Sequence, residues 1–236
     1  MPAIPPAVFS GLLLFDKPKG ITSHDAVNLL RRKLGFKRIG HGGTLDPMAT
    51  GLLLLLVGTA TKSQPSLQGS SKVYSGVIKF GTQTDTWDAE GRVTAEAACP
   101  ALTENAVSAA LAFFEGNITQ QVPPFSAVRF QGKRLYDMAR NNEVMPEIKR
   151  EARLRWLFWK LDGAELQFRI ECSGGTYIRS VAHELGNKLG VFGHLSALRR
   201  ESIGRFNLAG SVTREALQAL SEPEIRRLLI SAESVG

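Results

Sequence analysis

The chain has 236 residues, is 43% hydrophobic, and carries a formal net charge of +7 with a pI of about 9.6. This length and apolar content suffice for one large domain or two small ones. The longest apolar run, Leu52 to Val57, is far too short to cross a bilayer, so we expect no membrane span. The N-terminal segment MPAIPPAVFSG has no basic region and no long apolar stretch, so we expect no secretory signal.

The charge and the two cysteines narrow the cellular setting. Cys99 and Cys172 do not have the spacing of a metal site and favour a reducing compartment without a disulfide framework. The positive charge favours a polyanionic partner such as nucleic acid, and an ordinary basic enzyme is the alternative. Basic clusters recur along the chain at 31–33, 37–38, 133–134, 149–150, 199–200 and 226–227. This spread favours a surface that follows a folded nucleic-acid backbone over one basic tail.

The first third of the chain is predicted to alternate strands with one helix. Strands are expected at residues 11–15, 52–57 and 73–80. Thr22 or Ser23 can cap a helix that ends at Gly35, because hydroxyl oxygens accept from free first-turn amides and glycine adopts the closing turn. The polar segment 81–91, GTQTDTWDAEG, is predicted to be a loop.

The rest of the chain mixes helices with a hairpin. Predicted helices lie at 103–114, near Tyr136, after the Gly174-Gly175-Thr176 turn, and from about Thr213; predicted strands lie at 126–130, 154–161 and 164–172. The last two strands flank Asp162-Gly163, a strong two-residue hairpin signal. Hairpins mixed with helices predict an α+β fold with a mainly antiparallel sheet.

Asp46 is the first candidate for chemistry. It lies within GHGGTLDPMATGLLLLLVG (residues 40–58), between a glycine-rich turn and a fully apolar run. A turn aspartate that caps its own backbone is the ordinary alternative, since aspartate is common before proline in turns. Glycines permit close backbone approach to a ligand, and a buried strand after the loop would hold the carboxylate rigidly. The GHGGT turn could also form a backbone nest for an anion.

Aromatic residues and one arginine form the second set of candidates. Tyr74 lies early in a predicted strand, and Tyr177 and Arg179 follow a glycine turn at a helix start. An aromatic ring can stack on an extruded base, and an arginine can pair with a carboxylate and keep it ionised. Taken singly, half-buried tyrosines and a surface arginine are the more common cases.

The histidines give no metal site. His41 could donate to a phosphate or stack on a base, although solvent exposure is usual for a lone loop histidine. The pair His183-Glu184 is followed at position 187 by Asn, so the HExxH zinc pattern fails. We predict no metal and no cofactor.

These motifs together resemble the bacterial tRNA pseudouridine synthase B family. LLLFDKPKGITSHDAV, GHGGTLDPMATGLL, ATKS, KVYSG, FGTQTDTWDAEG, QGKRLYDMAR, CSGGTYIRSVAHELG and ALRR match the family's motifs in order, from about Gly11 to about Phe206. The resemblance implies an isomerase that converts uridine 55 in the T loop of tRNA to pseudouridine. It also implies the pseudouridine synthase catalytic fold, with a central, mainly antiparallel mixed sheet flanked by helices and loops.

The resemblance also implies a role for each matching residue. Asp46 falls on the essential aspartate, Tyr74 on the tyrosine that stacks on the target base and is the proposed base at C5, and Arg179 on the partner of the aspartate. Three residues fall on substrate-binding positions: His41, Tyr177 and Leu198. Three lysines lie in motifs expected to contact the RNA backbone: Lys17, Lys19 and Lys62.

The chemistry fits these residue types. The N1–C1′ bond breaks, the uracil turns, and the base rejoins through C5, with no redox step. An ionised Asp46 would act at the ribose, and attack on C1′ and removal of a 2′ proton both remain open. The target base must leave its stack, and an aromatic platform lowers that cost.

Three features depart from the family pattern. Gly43 stands where the family usually has Thr, which is expected to loosen the loop before Asp46. The segment Pro123 to Arg129 is one residue shorter than the corresponding motif and ends in Arg. We expect a single catalytic domain over residues 1–236, without the C-terminal PUA domain of many relatives.

The expected partner is tRNA, bound through its T arm, with no membrane and no protein partner. A monomer in the cytoplasm is predicted. Two alternatives remain: a tRNA-binding folding chaperone without catalysis, and a related synthase with another RNA target.

Overall fold

The computed structural model describes residues 10–99 and 101–231, and it divides the chain into two compact units. The terminal unit comprises Met1–Lys72 and Arg199–Gly236, and the middle unit comprises Val73–Leu198. The expectation of a single domain over residues 1–236 stays a prediction.

The described helices and strands follow one another closely along the chain. The helices are α1 (Ser23–Leu34), α2 (Gln64–Gly69), α3 (Glu104–Leu111), α4 (Leu135–Arg140), α5 (Ile178–Lys188), α6 (Arg214–Ala219) and α7 (Glu222–Arg227), with 3₁₀ turns at Gly58–Ser63 and Ala112–Phe114. The strands are β1 (Gly11–Lys17), β2 (Ile39–His41), β3 (Thr50–Val57), β4 (Lys72–Phe80), β5 (Thr82–Thr84), β6 (Val93–Glu96), β7 (Gly116–Gln121), β8 (Arg129–Phe130), β9 (Lys133–Arg134), β10 (Lys149–Asp162), β11 (Glu165–Cys172), β12 (Gly193–Ile203) and β13 (Phe206–Asn207).

The terminal unit is organised around β3. This strand pairs antiparallel with β1 and with β2, and it pairs parallel with β12 through Thr50↔Arg199 and Gly51↔Arg200. The apolar run from Leu52 to Val57 is completely buried, as expected for a strand covered on both faces. Its core packs leucines of β1 and β3 against the segment that follows and against the end of β12: Leu12, Leu14, Leu52, Leu54, Leu56, Ala60, Leu67 and Ile203.

Helix α1 forms for the reasons that its sequence gives. Thr22 is the N-cap, and its hydroxyl oxygen accepts from the Asp25 amide. The Asp25 carboxylate accepts from the Thr22 amide, which completes a capping box. Gly35 ends the helix in the left-handed conformation. The predicted helix is confirmed, and its start places Ser23 against the loop that carries Asp46.

The middle unit is built on an antiparallel hairpin. β10 and β11 pair from Leu154↔Cys172 to Asp162↔Glu165, with a bulge between Trp156 and Phe158. β7 pairs antiparallel with the first half of β10, and β4 lies on the other side of β11. Helices α3 and α5 pack against each other, and α5 also packs against β7. Antiparallel pairs predominate and β3–β12 is parallel, so the predicted α+β class with a mainly antiparallel mixed sheet is confirmed.

Several segments differ from the predictions: β5 occupies part of the predicted loop at 81–91, and the short strands β2, β6, β9 and β13 were not predicted. The strand expected at 126–130 shrinks to β8, because the Ser126 and Val128 carbonyls accept hydrogen bonds from the start of α4 rather than from a neighbouring strand. The strands β7 and β12 were not predicted at all. No helix among the described residues is long and apolar enough to cross a membrane.

Candidate functional site

Asp46 lies in the Asp46 loop, which we define as residues 42–49, between β2 and β3. The loop is anchored by its apolar side chains, because Leu45, Met48 and Ala49 are buried while Thr44 and Pro47 are exposed. Asp46 itself is half-buried, and its carbonyl accepts a hydrogen bond from the Ala49 amide at 3.1 Å. The carboxylate is therefore carried on a short turn whose neighbours on both sides are fixed in the core.

Arg200, on β12, holds the first part of the Asp46 loop. Its Nη2 donates to the Gly43 carbonyl at 3.0 Å and its Nη1 to the Thr44 carbonyl at 3.2 Å. Its Nε donates to the Leu52 carbonyl on β3 at 2.8 Å. The side chain is 1% exposed, so one buried guanidinium ties the loop to the strand that follows it.

The second part of the loop is hydrogen-bonded to residues 17–23, which lead into α1. The Ser23 hydroxyl donates to the Leu45 carbonyl at 3.0 Å and accepts from the Leu45 amide at 2.8 Å. The Pro47 carbonyl accepts from the Gly20 amide at 2.8 Å and from the Lys17 ammonium at 3.3 Å. The residues on both sides of Asp46 are thus bonded through their backbone to α1 and its approach.

Lys17 lies in the interior instead of facing the solvent. The side chain is 0% exposed, and its ammonium also donates to the Pro18 carbonyl at 3.0 Å and the Ile21 carbonyl at 2.8 Å. We therefore do not retain Lys17 as a contact to the RNA backbone. Lys19 and Lys62 are exposed and remain predicted contacts.

Gly43, near the start of the Asp46 loop, is bonded through both its amide and its carbonyl. It is buried with φ +143°, its carbonyl accepts from Arg200, and its amide donates to Nδ1 of His41 at 3.4 Å. This value of φ is one that residues with a side chain rarely adopt. Glycine here permits the backbone path that places its carbonyl on Arg200, and the expected loosening of the loop stays a prediction.

His41 ends β2 directly before the Asp46 loop and is half-buried. Burial lowers the pKa of its ring below the ordinary value of 6.5, and the positive charges of Arg200 and His24 lower it further. A neutral imidazole at physiological pH can donate through one nitrogen and accept through the other. The prediction that His41 contacts the substrate is compatible with this state.

Arg179 lies at the start of α5 in the middle unit, and its side chain is 6% exposed. Its Nη1 donates to the Thr86 carbonyl at 2.9 Å and its Nη2 to the Phe125 carbonyl at 3.0 Å. Its Nε lies 3.7 Å from Oδ2 of the equally buried Asp88. Two other segments of the middle unit, around residues 86–88 and around Phe125, thus meet at the guanidinium of α5. Arg179 is therefore buried, and the alternative of a surface charge does not hold.

The segment around Asp88 is held in a strained conformation. Trp87 has φ +63°, and its ring stacks on His183 with centroids 4.2 Å apart. The Trp87 carbonyl accepts from the Leu195 amide at 3.0 Å, and the Asp88 carboxylate accepts from the Thr86 hydroxyl at 2.7 Å and the Glu90 amide at 3.0 Å. Sequence reasoning missed Asp88, although three acidic residues within the polar segment FGTQTDTWDAEG were visible.

The other predicted residues of the middle unit lie on neighbouring elements. Tyr177 caps α5, and Gln120 bonds to both its amide (2.8 Å) and its carbonyl (3.1 Å). Tyr74 lies on β4 and Leu198 on the adjacent β12, and both side chains are buried. The structure does not test the roles of these residues, which stay predictions.

The basic cluster at 199–200 is not a surface patch. Arg199 forms two hydrogen bonds with the Asp16 carboxylate, at 2.7 and 3.1 Å, and Arg200 is buried under the Asp46 loop. The sequence-based interpretation of this pair as part of a nucleic-acid surface is therefore wrong for Arg200. In residues 10–99 and 101–231 no group of three or more His, Cys, Asp or Glu is arranged to hold a metal ion.

Comparison with known proteins assigns residues 31–235 to one family. The TruB family pseudouridylate synthase N-terminal domain matches residues 31–178, and the tRNA pseudouridylate synthase B C-terminal domain matches residues 179–235. A tRNA pseudouridine synthase B of Opitutus terrae is 45% identical over 228 residues, which cover 93% of this chain and 92% of that protein. One of Paenarthrobacter aurescens is 40% identical over 235 residues, 97% of this chain and 75% of that protein.

The fold is shared with a solved chain from a Cbf5–Nop10–Gar1 complex. The TM-score is 0.71 at 27% identity, and the match covers 95% of this chain and 61% of the solved one. This chain thus spans about three fifths of the length of that relative. The resemblance inferred from the ordered motifs is confirmed, and the chain belongs to the TruB family of pseudouridylate synthases.

Proposed function

We propose that this protein isomerises uridine 55 in the T loop of tRNA to pseudouridine. The observation that carries the proposal is the Asp46 loop: a carboxylate held by bonds to the backbone on both sides, in a chain of the TruB family. Rigid support of this kind is what a catalytic group needs, since a displacement of about 1 Å can cost 10²-fold in rate. A turn aspartate that only capped its own backbone would not need support from three other segments.

In this proposal Asp46 acts at the ribose of the target nucleotide. Its carboxylate either attacks C1′ or removes the 2′ proton, and the N1–C1′ bond breaks so that its electron pair leaves with the uracil. The uracil turns, and C5 bonds to C1′ as the bond between Asp46 and C1′ breaks or, on the second route, as Asp46 returns the proton to C2′. The proton on C5 is then lost to a base, for which we propose Tyr74, and N1 gains a proton. Atoms and charge balance without a redox partner, because the product is an isomer of the substrate.

The substrate must be extruded from the T loop before this chemistry can occur. Extrusion costs a few kcal/mol, and stacking on an aromatic ring offsets part of that cost. We propose Tyr74 as the stacking ring, Tyr177 and Leu198 as walls of the uracil pocket, and Arg179 as the group that keeps Asp46 ionised. Lys19 and Lys62, which are exposed, are proposed to contact RNA phosphates.

The exposed cations of the middle unit support binding to a folded RNA. Arg129, Lys133 and Arg134 lie on the β8–β9 hairpin and are all exposed. Arg134 and Arg140 lie 5.7 and 5.4 Å from the ring centroid of Tyr136, which groups positive charge around an aromatic face. Such a surface should bind RNA in a salt-dependent way. We propose a monomer acting in the cytoplasm.

The test is the release of tritium from a tRNA transcript that contains uridine labelled at C5. Wild-type protein should release label in proportion to the target uridine, and Asp46→Asn should release none above background while it still binds tRNA. Asn is the matched variant because it preserves shape and removes only the charge. If wild-type protein binds a correctly folded transcript but releases no tritium, the binding-only alternative is favoured and the proposal fails.

A further inference from the structure

The proposed chemistry does not by itself explain the buried cation beneath the Asp46 loop. Arg200 is 1% exposed, and among the residues described by the structure no carboxylate forms an ion pair with it. Its guanidinium donates to the carbonyls of Gly43, Thr44 and Leu52. Burying a charge without an oppositely charged partner costs free energy, so an apolar side chain would fill this position at a lower cost.

The geometry shows what the guanidinium accomplishes that an apolar side chain could not. Gly43 and Thr44 come three and two residues before Asp46, and Leu52 lies on β3 after the loop. The planar fork of an arginine can bond carbonyls on both sides of a loop at once, whereas a lysine presents a single ammonium. Arg200 therefore fixes the path of the backbone into Asp46 relative to the path out of it.

The register of β12 adds a second constraint at the same residue. Arg200 pairs with Gly51, and a Cβ at Gly51 would lie 2.3 Å from the Arg200 carbonyl oxygen. The backbone of Arg200 thus packs closely against β3 while its side chain reaches under the loop. The backbone position from which the Arg200 side chain starts is therefore fixed by β3.

We propose that Arg200 is a positioning residue for Asp46, which sets the direction in which the loop presents the carboxylate and so acts on turnover rather than on RNA binding. This inference rests on the proposed function, because it takes Asp46 as the catalytic carboxylate. It differs from a purely structural role, since the effect of Arg200 should be greater on the rate of the bound complex than on its affinity.

His41 provides a readout of Arg200 that does not depend on activity. The ring of His41 lies on the residue before the loop, with Arg200 on β12 and His24 on α1 as the charged groups that act on it. Burial is the first cause of its lowered pKa, and the charge of Arg200 is the second. Removing that charge should raise the pKa of His41, whereas replacing Arg200 by lysine should preserve most of the lowering.

The experiment compares Arg200→Lys and Arg200→Met with Arg199→Met. The control removes a neighbouring arginine of the same strand whose side chain is 41% exposed and paired with Asp16. Three quantities are measured for each folded protein: the single-turnover rate of pseudouridine formation in a tRNA transcript, the Kd for that transcript, and the pKa of His41 by NMR titration.

We expect Arg200→Met to lower the single-turnover rate about 100-fold, with Kd within about twofold of wild type and the pKa of His41 raised. Arg200→Lys should keep the lowered pKa of His41 but recover only part of the rate, since a compact ammonium lacks the planar span with which the guanidinium reaches the Gly43, Thr44 and Leu52 carbonyls. Arg199→Met should leave the rate and the His41 pKa unchanged.

Two results would overturn the inference. One is a folded Arg200→Lys with the full wild-type rate, and the other is a loss of rate that is matched by the loss of affinity. If Arg200→Met does not fold, Arg200→Lys decides. Failure of the proposed function would be recognised separately, because wild-type protein would then form no pseudouridine, while the His41 titration would still show whether Arg200 acts on the loop.

Discussion

The structure holds its two principal polar groups in opposite ways. Asp46 is positioned through its backbone: bonds from Arg200, Ser23 and Lys17 reach the residues around it. Arg179 is positioned through its side chain, which bonds two carbonyls and the Asp88 carboxylate. Support of the first kind fixes the path of the chain through Asp46, and support of the second kind fixes the guanidinium of Arg179 itself. The five donors of a guanidinium allow it to bond several acceptors at once.

Arg179→Lys should produce the largest effect on turnover, because it removes the guanidinium through which Arg179 is held. A lysine cannot serve the Thr86 carbonyl, the Phe125 carbonyl and Asp88 together. We expect turnover to fall about 10²–10³-fold, as for loss of a pre-positioned donor. Single-turnover kinetics on a tRNA transcript measure the effect, with the exposed Arg153→Lys as the matched control. Equal rates for the two variants would mean that the fork of Arg179 has no role in catalysis.

Substitutions at Gly51 and Gly43 test how closely Arg200 packs against β3 and against the Asp46 loop. At Gly51, with φ +100°, an added Cβ would lie 2.3 Å from the Arg200 carbonyl, so Gly51→Ala should lower the free energy of unfolding by about 3 kcal/mol or more. At Gly43, with φ +143°, the nearest atom would be 3.7 Å away, so Gly43→Ala should cost about 1–2 kcal/mol from backbone strain alone. Urea denaturation of both variants measures the difference. Similar losses would contradict close packing of β12 on β3.

Ser23→Ala removes one side of the support for the loop. It leaves the Leu45 amide and carbonyl, both within a buried residue, without the hydroxyl that bonds them. We expect a loss of about 2 kcal/mol in the free energy of unfolding, because unsatisfied buried groups keep their desolvation cost. The exposed helical Ser108→Ala is the control and should change stability by less than about 0.5 kcal/mol. A Ser23→Ala protein as stable as that control would show that the loop is held without Ser23.

The smallest expected effect is on the pH dependence of stability, to which His183 contributes through its contact with the segment around Asp88. Burial lowers the pKa of His183, which stacks on Trp87, to about 4. Its unfolded form titrates near 6.5, so the unfolded state binds more protons between these values and stability is lost as the pH falls from about 6.5 towards 4. His183→Phe keeps the ring stack and should flatten this loss. Urea midpoints at pH 7 and pH 5 test it, with the exposed His24→Phe as control; equal pH dependence in wild type and His183→Phe would refute the assignment.

Much of the fold could be predicted where its cause is local. The capping residues of α1, the glycine that ends it and the Asp162-Gly163 hairpin all act over a few residues. β7 and β12 depend on partners far along the chain. β7 has no apolar alternation and exists because β10 pairs with it, and β12 pairs with a strand about 150 residues earlier.

The site divides in the same way. Asp46 could be singled out from its turn chemistry and the buried strand that follows, and the ordered motifs supplied roles for its neighbours. Arg200 could not be identified, because nothing in the sequence distinguishes a buried arginine from an exposed one. Its hydrogen-bond partners are backbone carbonyls, which every residue carries. Lys17 was misjudged for the same reason. Trp87 and Asp88 were missed because their strain and burial arise only when Leu195 and His183 pack against them.

The most direct test of the central claim is to map pseudouridine at single-nucleotide resolution in a full tRNA transcript treated with wild-type protein or with Asp46→Asn. We expect one new pseudouridine, at position 55, with the wild-type protein and none with Asp46→Asn. Modification at another position only, or modification at position 55 by Asp46→Asn, would contradict it.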